Sequence, residues 1–356
     1  MREYIAFDSH KHYTLMEREN ATTGKTRQRR IDHRPGAIRA ALQTAEPGTP
    51  VAIESIGSWY WIVNEIEEAG LQPRLVHPRK AKVMMGCINK TDKLDVHGLN
   101  RLQRSGTLPT VWIPPRDTRD LREITRTRMV LTQQRTRFKN RILATLSKHG
   151  VTFRGYSDAF GKKARIALEK HVDQLPPHAR DMTKLLLEQL DHTHGQIVMI
   201  EEQLKELVPV SDAMRWLMTL PGVAIILSAV IAFEVGDVTR FPDSQHLASY
   251  SGVVPRIHSS GGKTYYGRTR PDVNRYLKWA FCEAANSAKL NHKRFPERHV
   301  SQLYARVKRR RDSSRAVGAV ARHLAEAAFH VLRKGEPYCE RGYKGTKPSN
   351  GRTRKA

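Results

Sequence analysis

The sequence predicts an α/β N-terminal domain built on a mixed sheet, followed by a long helical segment with coiled-coil spacing and a mainly helical C-terminal domain. Three observations carry this expectation. Residues 1–112 alternate short apolar runs with amphipathic stretches, the pattern of strands exchanging with helices. Residues 116–148 contain neither glycine nor proline and place Ile124, Leu131 and Phe138 seven apart, which is heptad spacing. Beyond Pro209, apolar helical stretches are punctuated by Leu220-Pro221-Gly222 and Gly236-Asp237. The expected boundaries are 1–114, 115–208 and 209–335, with a polar, basic and mobile tail over 336–356.

In the first region, Tyr4-Ile5-Ala6-Phe7 reads as a strand ending at Asp8, and residues 12–17 as its hairpin partner after a polar turn. Pro35-Gly36 opens a helix over 37–44. Val51-Ala52-Ile53 is a buried-type strand ending at Glu54, and the helix carrying Trp59, Ile62 and Ile66 closes at Gly70. Leu75-Val76-His77 and Val111-Trp112-Ile113 are read as the last two strands. After Pro176-Pro177, a second heptad stretch carries Leu190, Ile197 and Leu204 on one series beside Leu186, Ile200 and Leu207 on the other. The two heptad stretches can form an antiparallel hairpin, join a second subunit, or simply pack inside one domain. In the third region an apolar helix after Gly222 and a short helix ending near Tyr250 are spaced like helix-hairpin-helix modules that hold phosphates through backbone N–H groups. Gly222 and Gly236 are equally explained as turn glycines. Residues 251–266 form a glycine- and serine-rich segment, and helices are expected over 272–288 and 296–332.

The 356 residues include 62 Lys+Arg against 35 Asp+Glu, a formal charge of +27. Such an excess calls for a polyanionic partner. An apolar content of 39% is enough for real cores and excludes a disordered basic tail protein. Cys87, Cys282 and Cys339 are too scattered for a disulfide framework or a paired-Cys zinc site, which fits a reducing compartment. The first residues mix Arg2, Glu3, Asp8, His10 and Lys11 where a secretion signal needs an unbroken apolar segment. The longest apolar stretch, 223–233, falls short of the roughly 20 residues that span a bilayer. The expectation is a bacterial cytoplasmic protein on the nucleoid, with no membrane partner. Basic runs recur in every region, at Arg27-Gln28-Arg29-Arg30, Arg126-Thr127-Arg128 and Lys308-Arg309-Arg310-Arg311, and favour an extended nucleic-acid track over solvated faces. Aromatics at 7% give base stacking little support.

Four acids stand out by position. Asp8 and Glu54 end strands, while Asp92 and Asp95 sit three apart at a helix start in Lys90-Thr91-Asp92-Lys93-Leu94-Asp95 and so share a helix face. Carboxylates converging from strand ends and a helix suit hard divalent ions, which can activate a nucleophile and stabilise a leaving oxygen in phosphoryl transfer. Taken singly, each has a plainer role: turn residue, cap, or compensation of the helix dipole. The other constellation is His258-Ser259-Ser260-Gly261-Gly262-Lys263 with Arg268, Arg270 and Arg275. Small residues let a phosphate backbone approach, and the basic side chains would neutralise it. A serine here can attack a phosphodiester and store the bond as a phosphoserine ester. The plainer alternative is a phosphate-binding loop without a covalent role.

The order Phe7-Asp8, Ile53-Glu54, Lys90-Thr91-Asp92-x-x-Asp95, Leu220-Pro221-Gly222, Phe241, Leu247-Ala248-Ser249-Tyr250-Ser251-Gly252 and His258-Ser259-Ser260-Gly261-Gly262-Lys263 resembles the IS-one-ten family of insertion-sequence transposases, including its IS-eleven-eleven branch. The resemblance spans residues 4–335. It implies a RuvC-like (RNase H-like) first domain whose metal quartet is Asp8, Glu54, Asp92 and Asp95, holding Mg²⁺ or Mn²⁺, and a coiled-coil linker used in assembly as a dimer or tetramer. It also implies a C-terminal domain whose nucleophilic serine directly precedes a glycine, which selects Ser260. Gly261, Gly262, Lys263, Arg268 and Arg275 then become candidate nucleic-acid contacts. Family members are similar in using an element-encoded guide RNA to choose donor and target DNA. The function implied is cleavage and rejoining of DNA strands, with the serine reaching the metal site from another domain or subunit. Two other readings stay open: a RuvC-like nuclease using water, and a non-catalytic nucleic-acid scaffold.

Overall fold

The structure is a computed structural model that describes residues 3–86 and 91–340; Cys87, Lys90 and the tail over 341–356 lie outside the described residues. It divides into two compact units, Met1–Pro114 and Pro115–Ala356.

The first unit is a five-stranded mixed sheet with helices on both faces. Strands β1 (Glu3–Ser9), β2 (Tyr13–Asn20) and β3 (Thr26–Asp32) form an antiparallel meander. Helix α1 (Ala37–Leu42) leads to β4 (Pro50–Glu54), which pairs parallel with β1. Helix α2 (Trp59–Glu68) leads to β5 (Gln72–Val76), parallel to β4, so the strand order is β3-β2-β1-β4-β5. Helices α3 (Pro78–Met85) and α4 (Asp92–Arg104) complete the unit.

Period-two alternation sends side chains to opposite faces of this sheet. Ile5, Phe7, Val51, Ile53 and Leu75 form one core with Ile38 of α1 and Ile62 and Ile66 of α2. Ala6, Ala52 and Val76 form the other with Ala81 of α3 and Val96, Leu99 and Leu102 of α4. Small alanines on that second face let α4 lie close. Each buried Ile or Phe contributes about 1.5–3 kcal/mol, which fixes the register and therefore the positions of the strand-end acids.

Two sequence expectations for this unit need correction. Residues 26–32, read only as a basic run, form β3; all but Ile31 are exposed. An edge strand can be polar and basic because its outer side faces water, and its charges discourage edge-to-edge pairing. Residues 111–113, read as a strand, do not form one. Thr110 makes an isolated bridge to Val76 and Val111 donates to the Leu75 carbonyl at 2.7 Å, after which Pro114 and Pro115 supply no N–H to extend a ladder.

The second unit is mainly helical. Helices α5 (Arg116–Lys148) and α7 (Pro177–Leu207) pack side by side, with the short α6 (Lys162–Val172) between them in sequence. Arg128 bonds Glu201, and Arg135 approaches His194 at 3.4 Å. Partners that descend as α5 ascends mean the pair is antiparallel within one chain. Leu190, Ile197 and Leu204, the predicted heptad series, are all buried.

Helices α8 (Asp212–Leu217), α9 (Ile225–Val235), α10 (Ser244–Tyr250), α11 (Arg275–Asn291), α12 (His299–Arg310) and α13 (Ser313–Lys334) enclose a core that includes Leu277, Phe281, Tyr304 and Leu324. Gly222 adopts φ +80°, and a Cβ there would lie 2.4 Å from the Ala284 carbonyl oxygen. The glycine of Leu220-Pro221-Gly222 is thus required by close approach to α11. At the chain's other end, the Tyr338 N–H donates to Thr219 Oγ1 at 2.7 Å and Glu340 Oε2 accepts from the His299 N–H at 3.1 Å. Among the described residues, no helix is long and apolar enough to cross a membrane.

Candidate metal centre and serine hairpin

Strand pairing brings two acids together. β1 and β4 run parallel with Phe7 opposite Ile53, so the next residues, Asp8 and Glu54, are adjacent at the same end of the sheet. Alternation turns them away from the face holding Phe7 and Ile53, toward the face covered by α4. Helix α4 starts there: Thr91 accepts from the Leu94 N–H as its N-cap, and Asp92 and Asp95 occupy the first turn.

The ligand atoms that actually converge belong to Asp8, His10 and Asp92, all within 4.8 Å of one another. His10 Nε2 lies 3.3 Å from Asp8 Oδ2 and 3.2 Å from Asp92 Oδ2. The Tyr13 hydroxyl donates to Asp92 Oδ2 at 3.0 Å, with Arg30 stacked 4.0 Å from the centre of the Tyr13 ring. Burial pushes the Asp8 carboxyl above its usual range, His10 pulls it down, and Asp92 and Asp95 push it up again. Its anionic form is therefore one that a cation would stabilise. Tyr13 is also raised, chiefly by its hydrogen bond to Asp92. Glu54 and Asp95 stand outside the converging trio. Oxygen donors from Asp8 and Asp92 plus an imidazole nitrogen fit a divalent metal ion.

Sequence reasoning named Asp8 and Asp92 but passed over His10 and Tyr13. The signal for His10 was its spacing: two residues beyond Asp8, it falls on the same side of an extended chain. The β1–β2 turn, closed by the His10 N–H bonded to the Tyr13 carbonyl at 2.8 Å, holds it there.

In the second unit, the glycine- and serine-rich segment folds into a hairpin of β6 (Ile257–Ser260) and β7 (Lys263–Tyr266), exposed along both strands. Gly261 and Gly262 form its two-residue turn with φ +55° and +75°, the positive pair that a type I′ turn demands. Ser260 pairs with Lys263 at the tip. Ser259 shares a hydrogen bond with Thr264 Oγ1 at 3.0 Å, whereas Ser260 Oγ has no partner among the described residues. Arg268 and Arg275 are exposed, and Arg270 lies 3.6 Å from Asp272.

Carboxylates suited to holding a cation, in a chain of charge +27, fit an enzyme that works on nucleic acid. Residues 6–150 match the transposase family of the IS110 DEDD type, and residues 214–300 match the family described as Transposase IS116/IS110/IS902. The chain belongs to this family of insertion-sequence transposases, enzymes of DNA transposition. It is similar to the transposase for insertion sequence element IS1328 of Yersinia enterocolitica, 26% identical over 61% of this chain and 64% of the relative. The transposase for insertion sequence element IS1111A of Coxiella burnetii is 24% identical over 76% of this chain and 73% of its own length. A 43.6 kDa protein of insertion element IS110 from Streptomyces coelicolor is 31% identical over 43% of this chain and 37% of its own.

Proposed function

We propose that this transposase excises and inserts its own element by serine-dependent strand transfer, guided by an RNA that the element encodes. Asp8, Glu54, Asp92 and Asp95 would hold Mg²⁺ or Mn²⁺. The observation that carries the reading is the convergence of Asp8 and Asp92 at the open end of the sheet. The order β3-β2-β1-β4-β5, antiparallel across β3-β2-β1 and parallel across β1-β4-β5, supports an RNase H-like (RuvC-like) domain around these acids.

A bound divalent ion supplies charge neutralisation at an attacking or departing oxygen. The chain's own residues do the rest. Burial between sheet and helix holds Asp8 in place, and the Tyr13 hydroxyl orients Asp92. Ser260 Oγ attacks a phosphodiester phosphorus. A P–O bond to serine forms, the P–O bond to a sugar 3′ oxygen breaks, and the serine proton ends on that oxygen. One ester replaces another, so a second sugar hydroxyl can reverse the exchange without ATP. Gly261 and Gly262 allow backbone approach, while Lys263, Arg268 and Arg275 neutralise phosphate.

The basic strand β3 and the charge of +27 support contact with RNA as well as donor and target DNA, and with them a place at the bacterial nucleoid. Val130 on α5, with Met182, Leu185 and Met199 on α7, is exposed. These apolar side chains support coiled-coil association as a homodimer or tetramer. The test is a denaturing gel of protein, element-end DNA, element RNA and Mg²⁺. Ser260→Ala loses the covalent protein–DNA band and keeps RNA binding; Asp92→Asn loses cleavage. A persistent adduct in the first variant, or undiminished cleavage in the second, refutes the assignment.

A further inference from the structure

His10 sits between two carboxylates, within ion-pair range of both when its ring is protonated, without a well-aligned hydrogen bond to either. Its Nε2 atom is buried and has no hydrogen-bond partner, although oxygens of Asp8 and Asp92 lie 3.3 and 3.2 Å away. One N–H cannot point well at two acceptors at once, and here it reaches neither with acceptable geometry. These spacings have another natural origin. Two donor atoms each about 2.1 Å from one ion, at a right angle, are themselves about 3 Å apart. The β1–β2 turn and the tilted packing of the His10 ring on Tyr13, at 4.6 Å between centroids, hold the imidazole in that place.

We propose that His10 is a nitrogen ligand of the same ion that Asp8 and Asp92 hold, which makes the site a mixed nitrogen and oxygen centre preferring borderline transition ions to Mg²⁺. Carboxylate and water suit hard ions, whereas imidazole favours transition metals. This rests on the metal reading above and adds to it a ligand outside the four acids, with a consequence for which ion is retained.

The test uses the full chain and Mn²⁺ as probe, measuring free ion by electron paramagnetic resonance and ¹⁴N coupling by spin-echo modulation. Wild type should bind Mn²⁺ more tightly than Mg²⁺ and show ¹⁴N modulation from a coordinated imidazole. His10→Asn should lose that modulation and bind Mn²⁺ about tenfold or more weakly, with a smaller change for Mg²⁺. Asp8→Asn should weaken both ions. Bound Mn²⁺ without ¹⁴N modulation in wild type overturns the His10 assignment without any variant. So does a His10→Asn protein that binds like wild type while Asp8→Asn does not, and in both cases the acid-held metal stands. If wild type binds no Mn²⁺, both readings fall together.

Discussion

Arg126 grips the wholly buried carboxylate of Glu234 with two hydrogen bonds, from Nε to Oε1 at 2.7 Å and from Nη2 to Oε2 at 3.1 Å. The pair ties α5 to the apolar helix α9. Asn274 adds a third bond to Oε2 at 2.8 Å while capping α11 through the Tyr276 and Leu277 N–H groups. Removing one partner of a buried ion pair leaves an uncompensated charge and costs about 3–5 kcal/mol. Arg126→Ala should therefore lose about 3 kcal/mol in urea unfolding, toward the low end because Asn274 and the buried Arg122, 3.6 Å from Oε2, still compensate Glu234. A loss below about 1 kcal/mol, the range of surface pairs, would show that the node is not a stabilising one.

Gly222→Ala should be damaging although alanine adds only one methyl group. The position has φ +80°, and the new carbon would fall 2.4 Å from the Ala284 carbonyl oxygen. Backbone strain alone costs roughly 1–3 kcal/mol, and the clash with α11 adds to it. A fall in melting temperature of several degrees is expected. Gly318→Ala, with nothing near its Cβ position, serves as the control and should be neutral or mildly stabilising within helix α13.

The serine hairpin offers a separation of stability from activity. Both turn glycines have positive φ and open space around them. Gly261→Asn should be tolerated because Asn-Gly suits a type I′ turn, whereas Gly262→Val should unseat the turn. Since the strands are exposed throughout, Gly262→Val should leave global unfolding nearly unchanged and still reduce covalent adduct formation. Equal adduct yield from both variants would mean that the tip geometry does not matter to Ser260.

The buried apolar runs were legible in the sequence because a strand covered on both faces has to be apolar throughout, as Val51, Ala52 and Ile53 are. Thr26–Asp32 was not legible as a strand, since pairing with β2 stabilises it through backbone bonds that leave no trace in side-chain hydrophobicity. Val111-Trp112-Ile113 has β-propensity, but two prolines end the edge. Heptads marked α5 and α7, while the choice of partner lay in cross-helix charges such as Arg128 with Glu201. Asp8 and Asp92 could be named from element ends. His10 could not be weighed without the turn that folds it back. Glu234 had a readable signal of its own, a single acid within the apolar Ile225–Val235 helix, where an unpaired charge would be costly.

A pH dependence follows from His323 in α13. Burial and the neighbouring His299 hold its imidazole below the ordinary value. A folded-state pKa below the unfolded one, about 6.5, means the unfolded chain takes the proton first. Stability is then complete above the unfolded value and is lost as pH falls through the folded value. His323→Asn should flatten the stability profile below about pH 6.5, read by denaturant unfolding across pH. An unchanged slope would assign the acid sensitivity elsewhere.

The most direct measurement is mass spectrometry of the protein–DNA species trapped during strand transfer on element-end DNA with the element's RNA and Mg²⁺. A nucleotide esterified to the Ser260 Oγ, formed with the ion present and absent after chelation or in Asp8→Asn, is the result expected. Free DNA ends with no protein attached, or an adduct on another side chain, would contradict the account and leave Ser260 as a phosphate contact only.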